Sequence, residues 1–353
     1  MSRSYSVNFD KTFPKILFDK KVSLVFSTYQ AGRLIVLGSL DGNHLHQIPV
    51  GFKKPMGIAL TENKLAIATL DSLYFFSNRE NVVDTIRLND KNFDTVYLQR
   101  AKYSISTLDV HDIEFGKGIL WGVNTMFSCL CVFDINHNFI PKWKPPFISS
   151  LVPEDRCHLN SMVLENDLPV YASMLSTTNT KEGWRENITE TGAIMTVPKG
   201  EVIADGLSLP HSLFLDGGYL YFLESGKGTL NRINRDTNEM EVVHKFERFV
   251  RGMKKLDNLF FIGYSAVRKS SKTFSSVRFD NPTENAGILI YDIELNEVTS
   301  QLGYDQDVEE IYDLNYFDGF LKPAIVNDKQ EEFNNVITLP KKVFWKKPKE
   351  EKK

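Results

Sequence analysis

The sequence predicts an all-β fold, a single six-bladed β-propeller closed by N-terminal strands joining a C-terminal strand. Three observations predict it. One phrase, a short apolar strand, a tight turn and a second apolar strand, recurs six times along the chain. The recurrences lie roughly 40 to 60 residues apart, the length of a four-stranded blade. No stretch repeats apolar residues at three and four, as a long amphipathic helix would.

The clearest copy is Leu209-Pro-His-Ser-Leu-Phe-Leu-Asp-Gly-Gly-Tyr-Leu-Tyr-Phe-Leu-Glu224, in which Asp-Gly-Gly supplies the hairpin turn. In chain order, residues 1–21 form an N-terminal tail. Three strands follow, at Val22–Tyr29, Arg33–Leu40 and His44–Val50, and they lack a first strand of their own. The six first strands then begin at Pro55-Met-Gly-Ile, Val110-His-Asp-Ile, Leu159-Asn-Ser-Met, Pro210-His-Ser-Leu, Val250-Arg-Gly-Met and Val308-Glu-Glu-Ile. The sixth has no full set of strands after it. Joining it to the three N-terminal strands completes the last blade and removes the sheet edges that invite aggregation. The propeller therefore spans 22–325, and 326–353 is a C-terminal tail ending in a partly disordered, charged Lys/Glu run.

Composition narrows the function classes. The net charge of −3 comes from 42 basic and 45 acidic residues spread along the chain, with no basic stripe for nucleic acid. No apolar run approaches the ~18 residues of a membrane span, and Met1 to Phe18 lacks the apolar core of a secretory signal. Three cysteines are too few for a disulfide framework, and Cys129 and Cys131, two apart on one strand, share a face as core thiols. A reducing cytoplasm is the expected home.

The first strands of a propeller line its axis, so their starts form a ring: Met56, His111, Asn160, His211, Arg251 and Glu309. The ends of the second strands (Thr28, Thr69, Asn124, Met174, Glu224 and Tyr264) lie at the same face. Three long links emerge there too: Pro145–His158, Leu175–Gly192 with Trp184 and Arg185, and Ser265–Ala286 with Arg268. Asp112 and Glu310 follow ring positions and are expected to point away from the channel and to bond neighbouring blades.

Three chemistries fit this ring. His111, His211 and Glu309 can hold one divalent metal ion, with Asn160 in support. Alternatively, one histidine is a general base, Tyr264 or Glu224 is the acid, and Arg251 neutralises an anion. In the third, the ring grips a small polar ligand without reaction. Asn124, Asn160, Glu224 and Arg268 are further ligand contacts, Arg185 clamps an anion beside Arg251, and Trp184 covers the pocket. Ser225-Gly-Lys-Gly228 resembles a phosphate loop but has neither its upstream glycine nor its helix, and reads as a strand turn.

Thr28-Tyr-Gln-Ala-Gly32, Pro55-Met-Gly57, Val110-His-Asp112, Asp155-Arg-Cys-His-Leu-Asn160, Gly183-Trp-Arg185, Gly206-Leu-Ser-Leu-Pro-His-Ser212 and Arg251-Gly252 occur in this order. With them the chain resembles an uncharacterised bacterial family of β-propeller proteins, sometimes fused to tetratricopeptide repeats, over roughly residues 22 to 320. The resemblance implies the propeller and a shared site of His111, His158, Asn160, Trp184, Arg185, His211 and Arg251. It implies no established reaction. The chain departs from the family at Leu213-Phe214, where a further basic residue is expected.

The expectation is a cytoplasmic enzyme of the lyase, epimerase or hydrolase class, acting on a small anionic or carbohydrate-like substrate. The alternatives are a protein-interaction scaffold, with its partner on the disc face or rim, and a ligand-binding sensor. Neither nucleic acid nor membrane is an expected partner.

Overall fold

The computed structural model describes residues 5–78, 82–85, 88, 92–267, 274, 276–280 and 282–346. Six sheets stand around one axis. Blade 1 comprises Ile58–Thr61, Lys64–Ala68, Ser72–Asn78 and Thr95–Ser104; blade 2, Val110–Gly116, Ile119–Asn124, Cys129–Val132 and Ile140–Trp143. Blade 3 comprises Leu159–Glu165, Leu168–Met174, Gly192–Thr196 and Val202–Leu207; blade 4, Pro210–Asp216, Tyr219–Glu224, Thr229–Asn234 and Met240–Lys245. Blade 5 comprises Phe249–Leu256, Leu259–Ser265, Gly287–Asp292 and Glu297–Tyr304. Blade 6 takes its inner strand, Asp313–Asp318, from the C-terminal side and its outer three, Val22–Thr28, Arg33–Gly38 and His46–Gly51, from the N-terminal side. The six-bladed closure is thus as the sequence predicts.

Local chemistry explains the elements. The Asp216↔Tyr219 hairpin turns on Gly217 and Gly218, whose φ values of 55° and 82° are those of a two-residue turn matched to strand twist. Middle strands do not alternate polar with apolar residues because both their faces are covered: every residue of Val22–Thr28 is buried, Ser23, Ser27 and Thr28 included. The core lies between blades. Tyr221 and Leu223 of blade 4 pack against Phe260 and Ile262 of blade 5, and Val123 and Leu130 of blade 2 against Leu159 and Met162 of blade 3.

Hydroxyl groups set the spacing of neighbouring blades. Ser27 donates to the Met56 carbonyl at 2.6 Å, Thr125 to Leu159 at 2.6 Å and Ser225 to Val250 at 2.6 Å. Ser173 and Ser265 do the same to Pro210 and Ile311, at 3.3 and 3.2 Å. Each bond runs from a second strand's end to the first strand of the next blade. Five of the six blade junctions carry it; at the remaining one, Thr69 bonds within its own blade, to Ser72.

Both tails depart from expectation. Within 1–21, Val7–Phe9 pairs with Glu297–Tyr304 as a fifth strand of blade 5, and Thr12–Asp19 is a helix. Phe13 and Leu17, four apart on one helical stripe, are completely buried against the blade 5–blade 6 core. Two turns are too short for helical periodicity to stand out from the sequence. Within 326–353, Val326 ends a strand, Pro323–Val326, that pairs in parallel with Thr95–Ser104 at the outer edge of blade 1. A hairpin, Val336–Leu339 with Lys342–Trp345, then places Val336, Val343 and Trp345 against Val96 and Leu98. The charged run from 347 lies outside the described residues. Among the described residues no helix is long and apolar enough to cross a membrane.

Leu17→Ala should lower the unfolding free energy by about 2–5 kcal/mol, the cost of emptying a filled core position, as measured by urea titration. Lys15→Ala, on the exposed side of the same helix, should leave the midpoint nearly unchanged.

Candidate functional site

Of the expected ring, His111, Asn160, His211 and Arg251 line the channel, Met56 is buried and lines neither of its chambers, and the blade 6 position is Tyr312. The inner strand of blade 6 begins at Asp313, so Ile311-Tyr-Asp-Leu314 is the counterpart of Val110-His-Asp-Ile113. Val308 and Ile311 are both fully buried, and their three-residue spacing made the phrase fit the repeat in two registers. Glu309, expected in the ring as acid or metal ligand, is exposed, and its backbone carbonyl accepts from the Ala266 N–H at 2.9 Å. Its neighbour Glu310 lines the funnel instead, 3.8 Å from Arg251, against the expectation that it points away.

The axis holds two chambers divided by His111, Arg251 and Tyr312, which line both. The outer chamber, of about 250 Å³, opens where the first strands begin. Asp155, His158, Trp184 and Arg185 reach it from the links flanking blade 3, and Ser265, Ala266, Val267 and Phe274 from the link of blade 5. All three long links therefore contribute to one pocket.

His158 is the best-oriented group in it. Its Nδ1 lies 2.9 Å from Asp155 Oδ2. A carboxylate only accepts, so Nδ1 carries the proton and Nε2 the lone pair. The same Asp155 oxygen accepts from Trp184 Nε1–H at 2.8 Å. Trp184 packs against the His158 ring with centroids 4.0 Å apart and carries the Arg185 guanidinium 4.2 Å from its own centroid. Trp184 is thus a buried brace for His158 rather than a cover, a correction to its expected role.

His111 meets His158 edge-on, with centroids 4.7 Å apart. Its Nδ1–H donates to the Asp109 carbonyl at 3.0 Å, and burial depresses its pKa to about 4 although the Asp109 carboxylate pulls the other way. Arg251 lies over the face of Tyr312, 3.4 Å from the centroid, while Tyr29 stacks nearly parallel on the same tyrosine at 5.6 Å. The Tyr312 hydroxyl is buried and has no hydrogen-bond partner among the described residues.

The inner chamber, of about 40 Å³, has room for only a few waters. His211 and Asn160 line it. His211 Nδ1–H donates to the Leu209 carbonyl at 2.7 Å, and burial holds this imidazole well below its ordinary pKa. Asp112 and Asp313 both face this chamber, which corrects the expectation for Asp112. Asp112 accepts from the Met162 N–H at 2.9 Å and Asp313 from the Ile58 N–H at 2.7 Å, so each carboxylate ties its blade to the next. Burial raises both acids, Asp313 to about 6 although Lys254 pulls it down, and the Asp313 charge raises Asp112 further. Burial alone would depress Lys254, but the fields of Glu114, Asp313 and Asp112 outweigh it and hold its pKa up.

Three further expected site residues, Tyr264, Glu224 and Asn124, lie elsewhere. Tyr264 is core: its hydroxyl donates to the Leu302 carbonyl at 3.3 Å, and burial raises its pKa, so it is no acid for this pocket. Glu224 accepts from the Ser208 N–H at 2.8 Å and pairs with Lys227 at 2.7 Å, and so braces the turn at 225–228. Asn124 Oδ1 caps Phe127 N–H at 3.1 Å. Arg268 lies outside the described residues. His111 and His211 both line the inner chamber, but each commits its Nδ1 to a backbone carbonyl, and Glu309 is exposed. Among the described residues no group of three or more His, Cys, Asp or Glu side chains is placed to hold a metal ion, and no step below is routed through one. Tyr312, Asp155, Asp109 and Glu310 were missed as site residues. Asp155 stands inside a phrase already singled out, three residues before His158, which was its available signal.

Residues 11–326 match the model of the family described as "Domain of unknown function (DUF4915)", and the chain belongs to that family. No curated protein sequence matches it. Among solved structures it is similar to one titled "Crystal structure of Nidogen/Laminin Complex", at 10% identity and a TM-score of 0.50, covering 84% of this chain and 99% of that one. That likeness concerns the fold alone. A structure of the computationally designed Ika8 protein is similar at 10% identity and a TM-score of 0.40, covering 80% of this chain and 74% of that one.

His111 should stay neutral in the folded protein down to about pH 4, with the proton on Nδ1, as seen by ¹⁵N imidazole NMR. The unfolded chain takes up this proton near pH 6.5 and the folded one does not, so acidification from pH 6.5 to about 4 favours unfolding. Relative to His111→Asn, the native chain should lose about 1 kcal/mol more per pH unit across that window.

Proposed function

We propose that this member of the family is an enzyme acting by proton transfer on a small anionic or carbohydrate-like molecule held in the outer chamber, in the manner of a lyase, epimerase or hydrolase. The Asp155–His158 pair carries this reading. Asp155 holds the proton on Nδ1, and no described residue bonds Nε2 of this pocket-lining imidazole. An imidazole oriented by a carboxylate, with its lone pair toward a cavity, is the arrangement of a general base.

The neighbours suit that role. His111, neutral because it is buried, adds a second acceptor nitrogen without a second charge. Arg251 and Arg185 supply positive charge where an anionic group or a developing oxyanion would sit. Asp109 and Glu310 offer carboxylates to substrate hydroxyls. Proton removal at a carbon beside a carboxylate would place that carboxylate at Arg251 and the carbon acid at His158 Nε2.

The experiment is proton exchange. Wild-type protein incubated in D₂O with a panel of small carboxylates, glucuronate among them, should exchange the hydrogen beside the carboxylate of at least one, followed by ¹H NMR. His158→Ala should slow that exchange by about 10²-fold or more, the usual contribution of a positioned base. Arg251→Gln should weaken carboxylate affinity about tenfold or more, the loss of a charge-assisted hydrogen bond. Binding that survives Arg251→Gln unchanged would remove the anion site, and exchange that survives His158→Ala would remove the base.

A further inference from the structure

The lining of the outer chamber is divided by blade. Blades 2 and 3 contribute Asp109, His111, Asp155 and His158, all polar. Blade 5, which stands across a six-bladed ring from blade 2, contributes Arg251 and Ser265 and, beside them, the apolar side chains of Phe249, Ala266, Val267 and Phe274. None of these four is fully buried; each keeps part of its surface open. Phe249 and Phe274 meet edge-to-face with centroids 6.0 Å apart, and behind them lies a buried cluster that includes Leu209, Trp184 and Val277. The wall is therefore backed by buried apolar side chains, and it presents apolar surface that water wets at a cost of about 25 cal/mol per Å².

Arg251 follows Phe249 by two positions on the inner strand of blade 5. Two residues of a strand put their side chains on the same side about 6–7 Å apart. A ligand on this blade meets a guanidinium and, one pleat further out, a phenyl ring. The charge balance is informative as well. Asp109, Asp155 and Glu310 outnumber Arg185 and Arg251 in the lining, and Glu310 lies 3.8 Å from Arg251, so a second negative charge on a ligand, as on a phosphate monoester, would be compensated less well than a first. The volume of about 250 Å³, against about 40 Å³ for the inner chamber, is room for a small organic ligand rather than a few waters.

We propose that the ligand is a monocarboxylic acid with a short apolar tail, its carboxylate at Arg251 and an aryl or branched alkyl group against Phe249, Val267 and Phe274. This rests on the anion site proposed above and narrows it away from sugars.

Titration calorimetry on the full chain tests it, with 3-phenylpropanoate, glucuronate, 3-phenylpropanol and phenyl phosphate as probes. 3-Phenylpropanoate should bind about tenfold or more tighter than each of the other three. Phe249→Ser should weaken 3-phenylpropanoate about tenfold and leave glucuronate unchanged. Val267→Ser provides the same comparison should Phe249→Ser fail to fold. If glucuronate binds as tightly as 3-phenylpropanoate, the apolar tail is wrong and the anion site stands. If 3-phenylpropanol matches 3-phenylpropanoate, or if neither carboxylate binds the wild-type chain, the anion site fails and this inference fails with it. If phenyl phosphate binds tightest, the restriction to a monocarboxylate is wrong.

Discussion

Six inner strands have to meet around one axis, and the crowding there governs the rest of the molecule. A Cβ on Gly57 would lie 3.0 Å from the backbone of Asp112 in blade 2, and one on Gly252 would lie 3.1 Å from the Leu314 nitrogen in blade 6. Gly252 also has φ of 78°, open to glycine at no steric cost. Missing side chains at these points let blades 1 and 5 press against their neighbours. Alternate blades carry acceptors at the same level: Asp112, Ser212 and Asp313 take the N–H of Met162, Gly252 and Ile58. Donors that would otherwise face a narrow channel unpaired are satisfied across the blade boundary.

That solution has an electrostatic consequence. Two partly buried carboxylates flank the gap at Gly57 and repel each other, and Lys254 is held among them by their field. The inner chamber is therefore filled by the fold's own charge compensation and left small. The outer chamber is where the ring widens into the long links, and where a ligand has room. Arg251 and Tyr312 form the partition between the two, locked by the stacking of guanidinium, Tyr312 ring and Tyr29.

In the outer chamber the ordering element is Asp155. It holds Trp184 and His158 with one carboxylate, so the links before and after the first two strands of blade 3 are fixed together. Asp155 and His158 themselves lie in the left-handed backbone region, with φ of 45° and 49°. Such conformations cost about 1–3 kcal/mol for a non-glycine residue and persist where surrounding bonds over-determine them.

The alternation of apolar strands and turns determined the blades, their order and the closure of blade 6, because strand period and turn chemistry are local properties. It also determined that His111, Asn160, His211 and Arg251 stand in one ring, since equivalent positions of a repeat occupy equivalent places. The sequence could not decide depth along the axis. Arg251 lines both chambers while His211 lines only the inner one, and that difference depends on how far each strand slides past its neighbours. Nor could it choose between two registers of Val308 to Asp313, because both buried an apolar residue; hydrogen bonding to Val22–Thr28 selected Tyr312 over Glu309. The pairing of Asp155 with Trp184 across 29 positions, and the apolar wall that blade 5 turns toward a polar blade 2, arise only when the ring closes. Contacts between distant segments are set by the packing of whole blades, and no local pattern encodes them.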